Sequence, residues 1–278
     1  MPEHGPVADP ELRQAIEARL RYYRDLGVYD LYRRCEPEPN FLTENVSVRV
    51  TNVATEQSTP PLANAPVLPP SPEFGTALPD AIPASERAAT LEAIRADIGD
   101  CTRCPLAFQG RHKIVFADGD PNARLMFVGE GPGADEDAQG LPFVGRAGQL
   151  LNNMINAMGL RREQVYIANV VKCRPPQNRT PEAEEANTCM QFLWRQIDAV
   201  HPEVLVALGA TAATYLLGGK ASLSSLRGQI HQVRNSKLIV TYHPAYLLRD
   251  PRQKVEAWKD LQIAMSELGL KAAKRTEA

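Results

Sequence analysis

From about Ala89 onward, short apolar runs alternate with longer amphipathic ones, and that alternation leaves few folds open. The runs "ARLMFVG", "QVYIANVV", "PEVLVALG" and "SKLIVTYHP" read as strands, with "LRGQIHQV" pairing the last of them as a hairpin. Helical patterns stand between them. They are "AATLEAIRADIGD", "RAGQLLNNMINAMGL" closed by Gly159, "TPEAEEANTCMQFLWRQIDAV", "ATAATYLLGG" and the closing "PRQKVEAWKDLQIAMSELGL". Thr180 as N-cap and Pro181 as first helical residue mark the start of the third. Strands that alternate with helices imply an α/β fold, a parallel sheet covered on both faces. Ligands of such sheets bind at the carboxyl ends of strands. The loops after Val128, Val170, Leu208 and Val240 are therefore the ones to inspect.

The preceding residues differ in kind. Residues 11–34 carry helical spacing at Leu12, Ile16, Leu20 and Tyr23, followed by Gly27, with arginines that suit a surface helix or a docking segment. Residues 36–88 hold ten prolines and little periodicity, the pattern of a disordered or extended linker. The expected organisation is a helical segment at 1–35, a linker at 36–88, one catalytic-sized domain at 89–270 and a flexible tail at 271–278. Residues 1–88 contain 8 basic and 13 acidic side chains, whereas residues 89–278 contain 23 and 20. The net charge of −2 argues neither for nor against nucleic acid. The sequence lacks an apolar run near the roughly 20 residues of a membrane helix. Its first residues also lack the basic and apolar parts of a secretory signal, so a cytoplasmic location is expected.

Cys101 and Cys104 form C-x-x-C after the first helix of the domain, Cys173 follows "QVYIANVV", Cys189 lies one helix on, and Cys35 stands apart. Four thiols in two pairs favour a metal site over a redox pair. Four thiolates suit both zinc and an iron–sulfur cluster. The wide gap from Cys173 to Cys189 is unlike a zinc ribbon and puts the cluster ahead, with unligated thiols as the remaining alternative.

The loop "FVGEGPGADEDAQGLPFVG" contains a formal match to the dinucleotide glycine pattern. Pro132 and the carboxylates do not suit a pyrophosphate, and the next helix starts only near Arg146. Leu141, Pro142, Phe143 and Val144 are unusual together in a solvent loop, and Phe143 offers a stacking surface for something flat. Asn169 ends another strand and carries both a donor and an acceptor, fit to read the edge of an amide-like ring. His243, fixed by Pro244 at a third strand end, can donate to a developing oxyanion.

The ordered set of C-x-x-C, "GEGPG", "GLPFVGRAG", "NVVKCRPPQNRTP", a fourth cysteine and "TYHPAYLLR" resembles the family 4 uracil-DNA glycosylases, the thermostable-type, iron–sulfur branch, over about Ala89 to Leu268. The resemblance implies a central four-stranded parallel sheet flanked by helices, and a [4Fe–4S] cluster on Cys101, Cys104, Cys173 and Cys189. It implies hydrolysis of the N-glycosidic bond of a uracil flipped from DNA, leaving an abasic site that starts base excision repair of deaminated cytosine. By the same resemblance, Phe143 stacks on the base, Asn169 reads its edge, and His243 stabilises the uracilate. Glu130 positions base or water, Gly131 lies against the substrate, and Glu136 and Asn178 support the site. Tyr246, Leu247, Leu248 and Arg249 form the loop that enters the minor groove. Family 1 enzymes carry an Asp at the place of Gly131, so Gly131→Asp is expected to keep or raise excision.

The implied partner is uracil-containing DNA, double- or single-stranded, bound by a monomer without membrane association. The N-terminal helix is either a docking segment for a repair or replication partner or a solvent-exposed tail. Two other readings remain. One is a non-catalytic or covalent uracil-DNA-binding protein of the same superfamily, whose covalent branch carries a basic insert after "PFVG" where this chain runs straight on into a helix. The other is an iron–sulfur redox protein.

Overall fold

The computed structural model describes residues 81–271. The expected helix at 11–34, Cys35, most of the linker and nearly all of the tail lie outside the described residues. In chain order the elements are α1 (Ala84–Ile98), β1 (Asp118–Gly119), β2 (Leu125–Gly129), α2 (Ala134–Gln139), α3 (Arg146–Ala157), β3 (Tyr166–Asn169), α4 (Ala183–Val200), β4 (Val204–Leu208), α5 (Ala210–Leu217), α6 (Leu223–Leu226), β5 (Ile230–Val233), β6 (Ser236–Thr241), α7 (Pro244–Arg249) and α8 (Lys254–Glu267). Short 3-10 turns stand at Pro105–Phe108, Arg162–Gln164, Pro176–Asn178 and Pro251–Gln253.

The sheet has six strands in the order β1-β3-β2-β4-β6-β5. Its four central strands are parallel, as the resemblance implies. Two antiparallel edge strands extend it to a mixed sheet: β1 beside β3, and β5 in the expected hairpin with β6. Each central strand is buried on both faces, which explains the near-continuous apolar runs. Leu125 and Phe127 of β2 face the layer of α3 and α8, whereas Met126 and Val128 face the layer of α1, α4 and α5. From β2 the chain crosses to β3 on one side, and from β4 to β6 on the other. The carboxyl ends of β2 and β4 therefore flank the topological switch point, where a ligand crevice is expected.

Three boundaries differ from the sequence reading. Helix α1 begins at Ala84, within the stretch assigned to the linker. Helix α4 begins at Ala183 rather than at Pro181, because Glu185 caps it from inside. Its carboxylate accepts from Glu182 N at 2.8 Å and is gripped by both terminal nitrogens of Arg179, at 2.7 and 2.8 Å. The acidic loop contains a helical turn, α2. Asp137 points inward from it, fully buried, and accepts from His112 N at 2.8 Å and Lys113 N at 3.2 Å.

Helix α3 enters so closely under the preceding loop that a Cβ on Gly148 would stand 1.9 Å from the Phe143 carbonyl oxygen. Both sides of that contact are backbone, so neither can yield by a rotamer change. Gly148→Ala is expected to cost about 1–3 kcal/mol in urea unfolding; an unchanged midpoint would show that the helix seats elsewhere.

Candidate active site

The end of β2 meets the end of β3 in register, Gly129 beside Asn169. A Cβ on Gly129 would lie 2.4 Å from Asn169 Oδ1 and 2.5 Å from Phe143 Cζ. Glycine here allows an amide and an aromatic ring to close over bare backbone. Phe143 holds φ at 52°, a left-handed conformation that a bulky residue adopts only when its surroundings impose it. Its ring centroid lies 5.6 Å from that of His243, with the planes 33° apart. Asn169 is buried, and among the described residues its Oδ1 has no hydrogen-bond partner. A buried acceptor left without a donor costs about 1–3 kcal/mol, so this atom is an opening for a ligand N–H. Thr241 Oγ1, at the end of β6 and two residues before His243, is likewise buried without a partner.

His243 caps α7: its Nδ1 accepts from Ala245 N at 3.1 Å. Burial, assisted by the Arg249 charge and opposed by Glu136, lowers its pKa to about 4. The imidazole is therefore neutral near pH 7. With Nδ1 engaged as acceptor, the proton sits on Nε2, which becomes the donor.

The two glutamates differ in what holds them. Glu130 is half-buried at the switch point and accepts from the hydroxyl of Thr211, at the start of α5. That hydroxyl bridges the ends of β2 and β4, and nothing in the sequence singled it out. Both oxygens of Glu136 are occupied by backbone donors, Oε2 by Gly133 N at 3.1 Å and Oε1 by Val144 N at 2.9 Å and Gly145 N at 3.0 Å. These bonds hold the shape of the loop that carries Phe143. Asn178 does not join the cluster through any hydrogen bond among the described residues. It sits exposed on the Pro176–Asn178 turn, and its Oδ1 accepts from Arg174 Nε at 2.8 Å.

The segment expected to enter DNA is the short helix α7. Tyr246 stacks on Tyr242 with centroids 5.1 Å apart, and Arg227 lies over the Tyr242 ring at 4.0 Å. Leu248 is half-buried and Arg249 exposed. Leu247, expected in the groove-entering loop, is buried. The helical turn carries this side chain inward, away from Arg249.

On the other side of Asn169, Cys101, Cys104, Cys173 and Cys189 line one cavity with Ile98, Ile114 and Phe192. Among the described residues these four thiols form no disulfide. Among the described residues no three His, Cys, Asp or Glu form a group that could hold a single metal ion. Guanidinium groups donate to two of the sulfurs, Arg111 to Cys173 at 3.3 Å and Arg103 to Cys101 at 3.6 Å. Burial pushes the Cys189 thiol up to about 12. Lys172 also lines this cavity and is buried, its ammonium donating to the Asn169 carbonyl at 2.8 Å and Gln196 Oε1 at 2.6 Å. Burial lowers its pKa to about 8.

Residues 116–262 match the family model described as the uracil DNA glycosylase superfamily. The chain belongs to the uracil-DNA glycosylase superfamily. It is 49% identical over 162 residues to a type-4 uracil-DNA glycosylase of Thermotoga maritima, covering 58% of this chain and 84% of that one. A type-4 uracil-DNA glycosylase of Pyrobaculum aerophilum is 43% identical over 181 residues, covering 62% and 92%. A type-5 uracil-DNA glycosylase of the same organism is 34% identical over 180 residues, covering 53% and 79%. The superfamily and its type-4 branch agree with the resemblance read from the motifs.

The site revises one expectation about this superfamily member. A Cβ on Gly131 would stand 2.7 Å from Val171 Cγ2, and Val171 is fully buried and stiff at χ1. Gly131→Asp alone is therefore expected to lower single-turnover uracil excision, and Gly131→Asp with Val171→Ala to recover part of the loss. Excision by the single variant at or above the wild-type rate would restore the earlier expectation. A second outcome follows from His243. The imidazole stays neutral above about pH 4. The excision rate constant should thus change by less than about twofold between pH 7.5 and 5.5, where an ordinary imidazole of pKa about 6.5 becomes mostly charged. A decline titrating near 6.5 would mean that the ring is not enclosed as described.

Proposed function

We propose that this chain is a monofunctional uracil-DNA glycosylase, which hydrolyses the N-glycosidic bond of a flipped uracil and leaves an abasic site in DNA. The observation that carries the reading is the buried, unpartnered Oδ1 of Asn169 beside the Phe143 ring. Uracil presents N3–H as a donor, with O2 and O4 as acceptors. An orphan acceptor beside an aromatic surface is a place for that N3–H. Cytosine has a lone pair at N3 and would set acceptor against acceptor, so the same atom that receives uracil rejects the normal base.

In this reading the flipped ring stacks on Phe143, and a purine is refused by the closeness of Gly129, Phe143 and Asn169. As the glycosidic bond breaks, electrons move to the base and the sugar becomes oxocarbenium-like. The neutral His243 donates from Nε2 to the base oxygen where negative charge gathers. It keeps its proton, so the base departs as an anion held by a hydrogen bond. Glu130, steadied by Thr211, supplies negative charge and an acceptor for the water that adds to C1′ of the sugar. That water loses one proton as its oxygen joins the sugar, and uracil takes one up after release. Tyr246, Leu248 and Arg249 on α7 are assigned to the DNA contact. Helix α3 starts at Arg146, directly after Gly145, so the chain has no room between them for the insert of the covalent branch.

The type-4 resemblance also implies a [4Fe–4S] cluster, and the residues fit one. Four free thiols line a single apolar cavity, and two of them accept N–H bonds from arginines of the kind that steady thiolates. We assign Cys101, Cys104, Cys173 and Cys189 as its ligands. When bound, the cluster would tie the end of α1 to the loop after β3 and would take no part in the reaction.

The deciding experiment is an excision assay on oligonucleotides with U·G, U·A and single-stranded uracil, followed by alkali cleavage. Strand scission at uracil is expected, and uracil release without it, or binding without release, would sink the reading. Asn169→Asp should relax the preference for uracil over cytosine, and an unchanged preference would remove edge reading from this residue.

A further inference from the structure

We infer that Arg162, which touches neither base nor sugar, is a positioning residue that sets the stacking platform. The inference rests on the glycosylase reading above. Arg162 opens the 3-10 turn Arg162–Gln164 before β3. Its guanidinium donates to four acceptors from three elements: Pro142 O at 2.6 Å, Phe143 O at 3.1 Å, Asn152 Oδ1 on α3 at 3.0 Å and Asp118 Oδ2 on β1 at 2.8 Å. The side chain is largely covered, and Pro142 and Phe143 are buried.

What makes this more than a structural tie is the residue it holds. Phe143 is a bulky aromatic at φ 52°, a conformation that has to be imposed from outside. The chain around it is gripped from two sides with opposite polarity. Arg162 takes the carbonyls of residues 142 and 143, while Glu136 takes the amides of residues 144 and 145. Gly148 lets α3 come up beneath the Phe143 carbonyl. With both ends of the peptide fixed, the ring has one place to lie, over Gly129 and beside Asn169. The planar fork matters because a single ammonium cannot span two successive carbonyls, an amide and a carboxylate at once.

The clamp also joins the two halves of base recognition. Arg162 sits at the entry to β3, and Asn169 sits at its exit. The edge reader and the stacking ring are thus referred to one short strand. A shift of Arg162 would disturb the ring's seat against Asn169 rather than the chemistry at His243 or Glu130. The loss should appear in binding of the flipped base.

The test measures inhibition of the full-length enzyme by free uracil, together with single-turnover excision and thermal midpoints. Arg162→Ala is expected to weaken uracil inhibition by roughly tenfold, the scale of one base–aromatic stack. In a Phe143→Leu background the same change should cost less than about twofold, because the two residues act through one contact. Arg162→Lys keeps the charge beside Asp118 and guards against a misfolded alanine variant; it should shift inhibition in the same direction with little change in midpoint. Equal losses with Phe or Leu at 143, or wild-type inhibition in a folded Arg162→Lys variant, would overturn the clamp while excision by the parent enzyme upholds the glycosylase reading. A parent enzyme that neither excises uracil nor is inhibited by it would overturn both.

Discussion

Among the described residues the amide oxygen of Asn169 has no donor, and much of the pocket is arranged around that vacancy in its hydrogen bonding. A folded chain rarely tolerates such an atom, because water solvates it in the unfolded state and nothing repays the loss. Here the vacancy is held open from several directions. The register of β2 on β3 places Gly129 beside Asn169, and the missing Cβ leaves room for the amide and for Phe143. On the backbone side, the Lys172 ammonium fixes the Asn169 carbonyl. An amide with its main chain held and its side-chain oxygen unpaired is preorganised, so base binding need not first break an internal hydrogen bond.

The acidic character of the glycine loop has a related explanation. Its carboxylates do not form a cation cradle. Asp137 is turned inward to cap the loop at His112 and Lys113, and Glu136 ties Gly133 to Val144 and Gly145. Glu130 is the one of the three whose held partner is a side-chain hydroxyl rather than backbone. The loop thus spends two of its four carboxylates on its own shape and presents Glu130 at the switch point, where positive charge would develop on a sugar.

Much of this was legible in the sequence, and the parts that were not share a cause. Strand ends are marked by a change of period, so Asn169 and His243 could be placed at the rim from pattern alone, and the cysteines by their spacing. Burial of a polar residue leaves no such mark. Lys172 drew no attention in the sequence, whereas it is buried between Asn169 and Gln196. Thr211 read as a helix residue without special standing. Leu247 and Asn178 were placed by motif position, but local helix geometry turns the first inward and a turn points the second outward. Strand β1 is two residues long, too short for any period to register. Thr180–Pro181 offered a good helix start, but the start lies at Ala183, where Glu185, held by Arg179, caps the Glu182 amide instead.

Lys172 links the cysteine-lined cavity to Asn169 at the carboxyl end of β3. Asn169 and Cys173 are four residues apart, with the lysine between them. Its ammonium reaches back to the Asn169 carbonyl and across to Gln196, which in turn donates to the Phe116 carbonyl at 3.2 Å. A buried ammonium is costly unless negative charge lies near, and Cys189 is the group whose charge would favour it. A thiolate at Cys189 would therefore favour the charged lysine, whose ammonium holds the Asn169 carbonyl at the end of β3.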